Sequence, residues 1–136
     1  MDTIYYKKGY KYQIVRDYRA VVDFKPSKAV ATNFINFNLD GRLLLKSYYA
    51  WDGPTGVPVH IKSLMRSSLE HDAFYQLMRQ GLLPPSFRKK VDKRFRKVCI
   101  KDGMWRINAA TAYRLVRVGG RSAIKPKNRK LIIIAP

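Results

Sequence analysis

Apolar residues take up the spacing of an α-helix in the stretch Met65-Arg66-Ser67-Ser68-Leu69-Glu70-His71-Asp72-Ala73-Phe74-Tyr75. From Ile61 to Met78, apolar residues recur three and four positions apart, which is the spacing of one face of an α-helix. The same stretch sets a histidine beside a carboxylate, although the chain has only nine acidic residues among 136. The spacing therefore predicts a helix whose core-facing stripe carries or adjoins His71 and Asp72.

Two further helices are predicted downstream, because Gly81 and Pro84-Pro85 end the first one. Ser86 is the expected N-cap of the second helix, and Asp102-Gly103 is its expected end. Its buried face should hold Val91, Asp92, Phe95, Val98 and Cys99. The third helix should run from about Trp105 to Val118 and end at Gly119-Gly120. Its apolar face should hold Ala109, Ala112, Tyr113 and Val116, while Arg106, Arg114 and Arg117 should lie largely outside that face.

Residues 1–50 are rich in aromatic and β-branched residues, which is typical of strands. Strands are expected at Tyr10–Arg16, Tyr18–Phe24, Thr32–Leu39 and Arg42–Tyr49, with Asp40-Gly41 as a hairpin turn. We therefore predict one α+β domain, in which an antiparallel β-rich N-terminal half packs on three C-terminal helices, the first two antiparallel. A Gly/Pro loop at 51–60 should join residues 1–50 to the helices at 61–120, and a basic tail at 121–136 should end in a short apolar run.

The charge of the chain is strongly positive, with 28 Lys and Arg residues against 9 acidic ones and a net charge of +19. Such a charge attracts polyanions, so nucleic acid, an anionic membrane lipid surface and an acidic partner protein are the open alternatives. The second helix concentrates the charge, and we expect it to bind anions through Lys89, Lys90, Lys93, Arg94, Arg96, Lys97 and Lys101. The single cysteine excludes an intrachain disulfide. No signal peptide is visible, and no apolar run is long enough to span a membrane.

The positions of His71 and Asp92 on the first two helices predict that these side chains form an acid–base pair. If the first two helices pack antiparallel, Asp92 approaches His71, holds the imidazole in one tautomer and stabilises its cation. The imidazole then serves as a general base towards water. Asp72 remains available to hold a hard cation, together with backbone carbonyls of the preceding loop at Gly53 and Gly56.

The string Arg66-Ser67-Ser68-Leu69-Glu70-His71-Asp72-Ala73-Phe74-Tyr75 resembles the catalytic helix of secreted phospholipase A₂, which reads R-C-C-x-x-H-D-x-C-Y. Serines stand at its paired cysteine positions, and Val91-Asp92-Lys93-Arg94-Phe95 is similar to its second helix. The resemblance implies that His71 activates water, that Asp72 binds calcium and that Asp92 orients His71. It implies a supporting hydroxyl at Tyr75. The segment 53–58 is loosely similar to the calcium loop of that family.

The order of strands, loop, His-Asp-x-x-Tyr helix and aspartate-bearing helix also resembles a bacteriophage domain family of unknown function. This resemblance implies a viral source, with the protein in the virion or in the cytoplasm of the infected host. Three hypotheses stay open. One is a calcium-dependent acyl-ester hydrolase of phospholipase A₂ type that acts at the host envelope. Another is a non-enzymatic virion or assembly protein, oligomeric within the virion, whose basic helices bind DNA or an acidic subunit while His71 and Asp92 form a structural pair. The third is a host-directed binder that blocks a nucleic-acid process by occupying an anionic site.

Overall fold

The computed structural model describes Ile4, residues 6–7, residues 12–53 and residues 62–125. Its internal contacts divide these residues into two compact units, one ending at Asp52 and the other beginning at Gly53. The antiparallel strands fall in the first unit and the three helices in the second, so the predicted α+β class is confirmed. That the whole chain forms one domain stays a prediction.

Seven short strands build two antiparallel sheets in the first unit. One sheet has the order β1-β2-β7, formed by Tyr6–Lys7, Tyr12–Ile14 and Ala50–Trp51. The other has the order β3-β6-β5-β4, formed by Tyr18–Val21, Arg42–Leu45, Ile35–Phe37 and Val30–Ala31. The sequence pattern predicted neither β4 nor β7, because two-residue strands are too short to show an alternation. Trp51, expected in a loop, lies in β7.

The alternation of side chains explains the four-stranded sheet. Ile35 pairs with Leu45 and Phe37 with Leu43 across β5 and β6, and all four side chains are buried. The predicted hairpin turn is confirmed, since the amide of Asn38 donates to the carbonyl of Arg42 at 2.9 Å. Gly41 has a φ of 87°, and a Cβ there would meet the carbonyl oxygen of Val22 at 2.7 Å. Only glycine tolerates both conditions.

The second unit contains α1 (Lys62–Arg79), α2 (Arg88–Lys101) and α3 (Arg106–Ala123), with a 3₁₀ turn at Pro85–Phe87. Helices α1 and α2 are antiparallel, as predicted, because Arg66 at the start of α1 contacts Asp102 just after α2. Leu64, Phe95, Cys99 and Ala109 form a buried apolar cluster that joins the three helices. The helical period in the sequence identified the buried face of α2, whereas α1 is buried on nearly every side between Leu64 and Met78 and not along one stripe.

Two predicted helix ends are wrong. Ser86 is not the N-cap of α2, because the two prolines open a 3₁₀ turn that contains Ser86, and α2 begins only at Arg88. Gly119-Gly120 does not end α3, which continues to Ala123. The guanidinium of Arg79 donates to the carbonyl of Ala123 at 3.1 Å, so a contact from another helix supports the last turn. Most of the predicted loop (residues 54–60) and the tail from residue 126 lie outside the described residues.

Candidate functional site

Asp92 is the centre of the candidate site, and its carboxylate is completely buried. Its Oδ1 accepts a hydrogen bond from the hydroxyl of Tyr75 at 2.6 Å and lies 2.7 Å from Nε2 of His71. Its Oδ2 accepts from Nη1 of Arg117 at 2.8 Å. The three residues predicted as catalytic, His71, Asp92 and Tyr75, therefore lie in direct contact.

Helix geometry explains why these side chains meet. His71 and Tyr75 are four residues apart and share one face of α1, where their ring centroids are 4.1 Å apart. Phe95, one turn after Asp92 on α2, packs its ring 5.1 Å from the imidazole. The antiparallel contact of α1 with α2 then brings Asp92 against both residues. The imidazole is thus held between an aromatic ring and a carboxylate.

The contact with Asp92 sets the tautomer of His71. An ionised carboxylate only accepts hydrogen bonds, so Nε2 of His71 must be the donor. In a neutral imidazole the lone pair then lies on Nδ1, for which the described residues offer no hydrogen-bond partner. His71 keeps 8% of its surface exposed, while Asp92 has none. This is the tautomer that a general base requires.

Two arginines balance the buried charge of Asp92, and the sequence interpretation missed both. Arg117 was expected outside the apolar face of α3, but it reaches the carboxylate. Nε of Arg88 lies 4.0 Å from Oδ2 of Asp92, and its Nη2 donates to the backbone carbonyls of Val116 and Arg117. The four-residue spacing of Arg88 and Asp92 within α2 was the signal available for the first arginine. Arg117 carried no such signal, since its partner is 25 residues away.

Gly120 makes the approach of Tyr75 to Asp92 sterically feasible. A Cβ at position 120 would lie 2.5 Å from the Tyr75 hydroxyl oxygen and 2.9 Å from Cε2 of the same ring. Gly119 has open space instead, with no atom within 4 Å of such a Cβ. Burial raises the pKa of Tyr75, and the hydrogen bond to Asp92 raises it further, so the hydroxyl stays a donor. A glycine kept inside a helix at a cost in propensity was the signal for this contact.

Asp72 lies next to His71 in sequence but outside this network. It is half-buried, and burial raises its pKa to about 7 while the charge of Arg79 lowers it. No hydrogen bond to Asp72 occurs within residues 62–125. A desolvated carboxylate with no bonded counter-charge is a group that a divalent cation would stabilise.

Asp72 and Gly53 are the predicted calcium ligands that fall within the described residues. Gly53 is buried and has a φ of 79°, whereas Gly56 lies outside the described residues. Within the part of the chain that is described, no group of three His, Cys, Asp or Glu side chains is arranged to hold a metal ion. A cation at Asp72 would therefore depend on backbone carbonyls, and calcium remains a prediction.

Several other polar residues of α1 and α2 have structural partners within the helical unit. Arg94 was predicted to bind anions, but its guanidinium forms two hydrogen bonds, of 2.9 and 3.2 Å, with the buried carboxylate of Glu70. Ser67 and Ser68 donate to carbonyls of their own helix. Burial raises the pKa of Cys99 to about 11, so it is a thiol that donates to Ser67. The remaining predicted anion-binding residues are exposed, namely Lys89, Lys90, Lys93, Arg96, Lys97 and Lys101.

No family model, no curated protein and no solved structure matches this chain. The candidate site is therefore interpreted from its own geometry. None of the helices described here is both long enough and apolar enough to cross a bilayer.

Proposed function

We propose that this protein hydrolyses acyl esters of phospholipids with a His–Asp centre of phospholipase A₂ type. The observation that supports the proposal is the 2.7 Å contact between Nε2 of His71 and the buried Oδ1 of Asp92, which leaves the lone pair of Nδ1 for a water molecule. Tyr75 and Arg117 hold the carboxylate in place, so the imidazole orientation is set before substrate binds.

In the proposed reaction, His71 takes one proton from water and later returns it to the leaving alcohol oxygen. Nδ1 of His71 takes a proton from water while the water oxygen bonds to the ester carbonyl carbon. Asp92 stabilises the imidazolium that results. The tetrahedral intermediate then breaks its bond to the alcohol oxygen, and the imidazolium returns the proton to that oxygen. The products are a fatty acid and a lysophospholipid, and His71 is again neutral.

Asp72 is the side chain that would hold a calcium ion beside this centre. Its desolvated carboxylate fits such an ion, because burial holds its pKa near 7 and the cation would supply the missing counter-charge. A bound calcium ion would neutralise the developing negative charge on the ester oxygen. The chain itself supplies the base, its orientation and the exclusion of bulk water around Asp92.

Fatty-acid release from mixed-chain phospholipid, with calcium or with a chelator, tests the proposal. We expect His71→Ala to abolish release and Asp92→Asn to lower kcat by at least about 100-fold, because the asparagine disturbs the tautomer. Asp102→Asn is the matched control, since it removes an acid that pairs across the same two helices with Arg66 but does not contact His71. Equal release by the wild type and His71→Ala would refute the proposal.

A second candidate is a non-enzymatic protein that binds polyanions through α2, as a virion or assembly component. It is favoured by the distribution of charge in residues 62–125, where every acidic residue is buried or half-buried while the cations of α2 other than Arg88 and Arg94 are exposed. This candidate predicts a steep loss of DNA binding with salt and presence of the protein in purified particles. Absence from the particles, or binding that does not depend on salt, would contradict it.

A further inference from the structure

The outer face of α3 carries an apolar stripe that its position in the helical unit does not explain. Ile107, Leu115 and Val118 are 73%, 68% and 83% exposed. They lie within about 80° of one another around the helix, opposite the buried Ala109 and Gly120. Trp105, which directly precedes α3, is 77% exposed. Exposed large apolar residues gathered on one helix face commonly mark an interaction surface.

Cations border this stripe. Arg114 and Arg121 are exposed and lie along one edge of it, within about 60° of Val118. Arg96 of α2 lies over the ring of Tyr113, which is about 100° further around α3 from Arg114. No acidic residue occurs anywhere in α3. The surface is therefore aliphatic along its centre and positive along its border.

We propose that the outer face of α3 docks on an anionic lipid bilayer, with Trp105, Ile107, Leu115 and Val118 entering the interfacial region while Arg114 and Arg121 contact lipid phosphates. An amphipathic helix with aliphatic residues on one side and arginines beside them has this preference. Tryptophan favours the membrane–water boundary because its ring is amphipathic. The proposal deepens the proposed function and rests on it for the choice of a phospholipid substrate.

The chemistry of the outer face of α3 favours a bilayer over a second copy of the chain and over nucleic acid. A second copy of the chain would bring two molecules of charge +19 together through a border of arginines, which repel. Nucleic acid would satisfy the arginines, but it would leave the aliphatic side chains of Ile107, Leu115 and Val118 without an apolar layer to enter. An anionic lipid surface offers both negative headgroups for the arginines and an apolar layer for the aliphatic side chains.

Trp105 provides a direct measurement of docking. The chain has two tryptophans, and the other, Trp51, is only 3% exposed, so a change in emission on vesicle binding reports on Trp105. Vesicles of ether-linked phosphatidylcholine, with or without ether-linked phosphatidylglycerol, cannot be hydrolysed by an acyl esterase. We expect a blue shift and sedimentation with the anionic vesicles, and neither with the neutral ones.

Variants separate insertion from simple charge attraction. Leu115→Ser and Val118→Ser should each lower the affinity for anionic vesicles roughly tenfold, because each removes an aliphatic side chain from the apolar layer. Val21→Ser is the matched control, since Val21 is 65% exposed on a strand of the other unit, and it should bind as the wild type does. Unchanged binding by both α3 variants, or binding without a shift in Trp105 emission, would overturn the proposal.

The vesicle-docking experiment and the hydrolase experiment can fail independently of each other. His71→Ala should dock as the wild type does, because the imidazole is not on this face. Docking by a wild-type protein that releases no fatty acid would refute the hydrolase and support the surface. Release of fatty acid from dispersed short-chain ester lipid without any docking would support the hydrolase and refute the docking surface.

Discussion

Gly120→Ala tests the contact on which the candidate site depends. Alanine has a helix propensity about 1 kcal/mol better than glycine, so a helix interior should gain stability from this change. At position 120, however, the new Cβ would lie 2.5 Å from the hydroxyl oxygen of Tyr75 and 2.9 Å from its Cε2. The ring cannot move away freely, because its hydroxyl is bound to Asp92 at 2.6 Å and the imidazole of His71 stacks beside it.

Two costs oppose the gain in propensity. Displacing Tyr75 weakens a hydrogen bond to a buried charge, which costs about 1.5–3 kcal/mol, and overpacking adds about 1–3 kcal/mol. We therefore expect Gly120→Ala to lower the free energy of unfolding by about 1.5–5 kcal/mol. Gly119→Ala is the control within the same helix, since a Cβ there meets nothing within 4 Å, and it should raise the stability by about 1 kcal/mol.

Urea denaturation followed by circular dichroism at 222 nm measures both changes, because the described helices all belong to the second unit. The double variant Tyr75→Phe/Gly120→Ala completes the cycle. It lacks the nearest clashing atom and the hydrogen bond, so Gly120→Ala should cost less when Tyr75→Phe is already present. Gly120→Ala as stable as Gly119→Ala would refute the close approach of α3 to Tyr75.

Three further outcomes follow from the same contacts. The pKa of Asp72 is raised from 3.8 to about 7, so the folded state binds this proton more tightly than the unfolded state does, and stability falls as pH rises from about 4 to about 7. In the presence of chelator, Asp72→Asn should remove this loss of stability, which is worth up to about 4 kcal/mol before solvent screening. At about pH 3.5 the same substitution should have little effect. A fit of unfolding free energy to pH that shows no difference between Asp72→Asn and the wild type would contradict it. Arg94→Gln should cost about 3–5 kcal/mol because it breaks the ion pair between Arg94 and the buried Glu70, whereas the exposed neighbour Lys93→Gln should change stability by less than about 0.5 kcal/mol in the same urea titration. Tyr75→Phe should cost about 1.5–3 kcal/mol and lower kcat while leaving KM nearly unchanged, since the hydroxyl contacts a carboxylate rather than the substrate; a change confined to KM would argue for a substrate contact.

Much of the architecture could be predicted because it depends on neighbouring residues. The alternation over β5 and β6 and the glycine at position 41 specify a hairpin without reference to the rest of the chain. The spacing of apolar residues in α2 identified its buried face in the same way, whereas α1 is buried on nearly every side, which the spacing did not indicate. Two-residue strands such as β4 and β7 escaped prediction, since two residues are too few to show an alternation, and β7 also pairs with β2 far earlier in the chain.

The candidate site was predictable in its acid–base pair but not in its counter-charges. His71 and Asp92 stood out because each polar residue lies on or beside an apolar stripe. Arginines gave no comparable signal, since the chain has 28 basic residues and most of those within the described ranges are exposed. Arg117 and Arg94 were both assigned to exposed surfaces, and both proved to pair with buried acids. Which arginine meets which acid depends on the rotation of whole helices against one another.

The amino-acid sequence alone determined the strand alternation, the glycine-dependent turn, the helical faces and the positive charge, because each arises from steric or solvation preferences within a few residues. The tertiary structure alone decided that α3 would continue through Gly119-Gly120. Gly120 stays helical because its lack of a side chain admits Tyr75, and Tyr75 is there because Asp92 holds its hydroxyl. Such a fit depends on three helices meeting at once, and no local pattern of residues encodes that meeting.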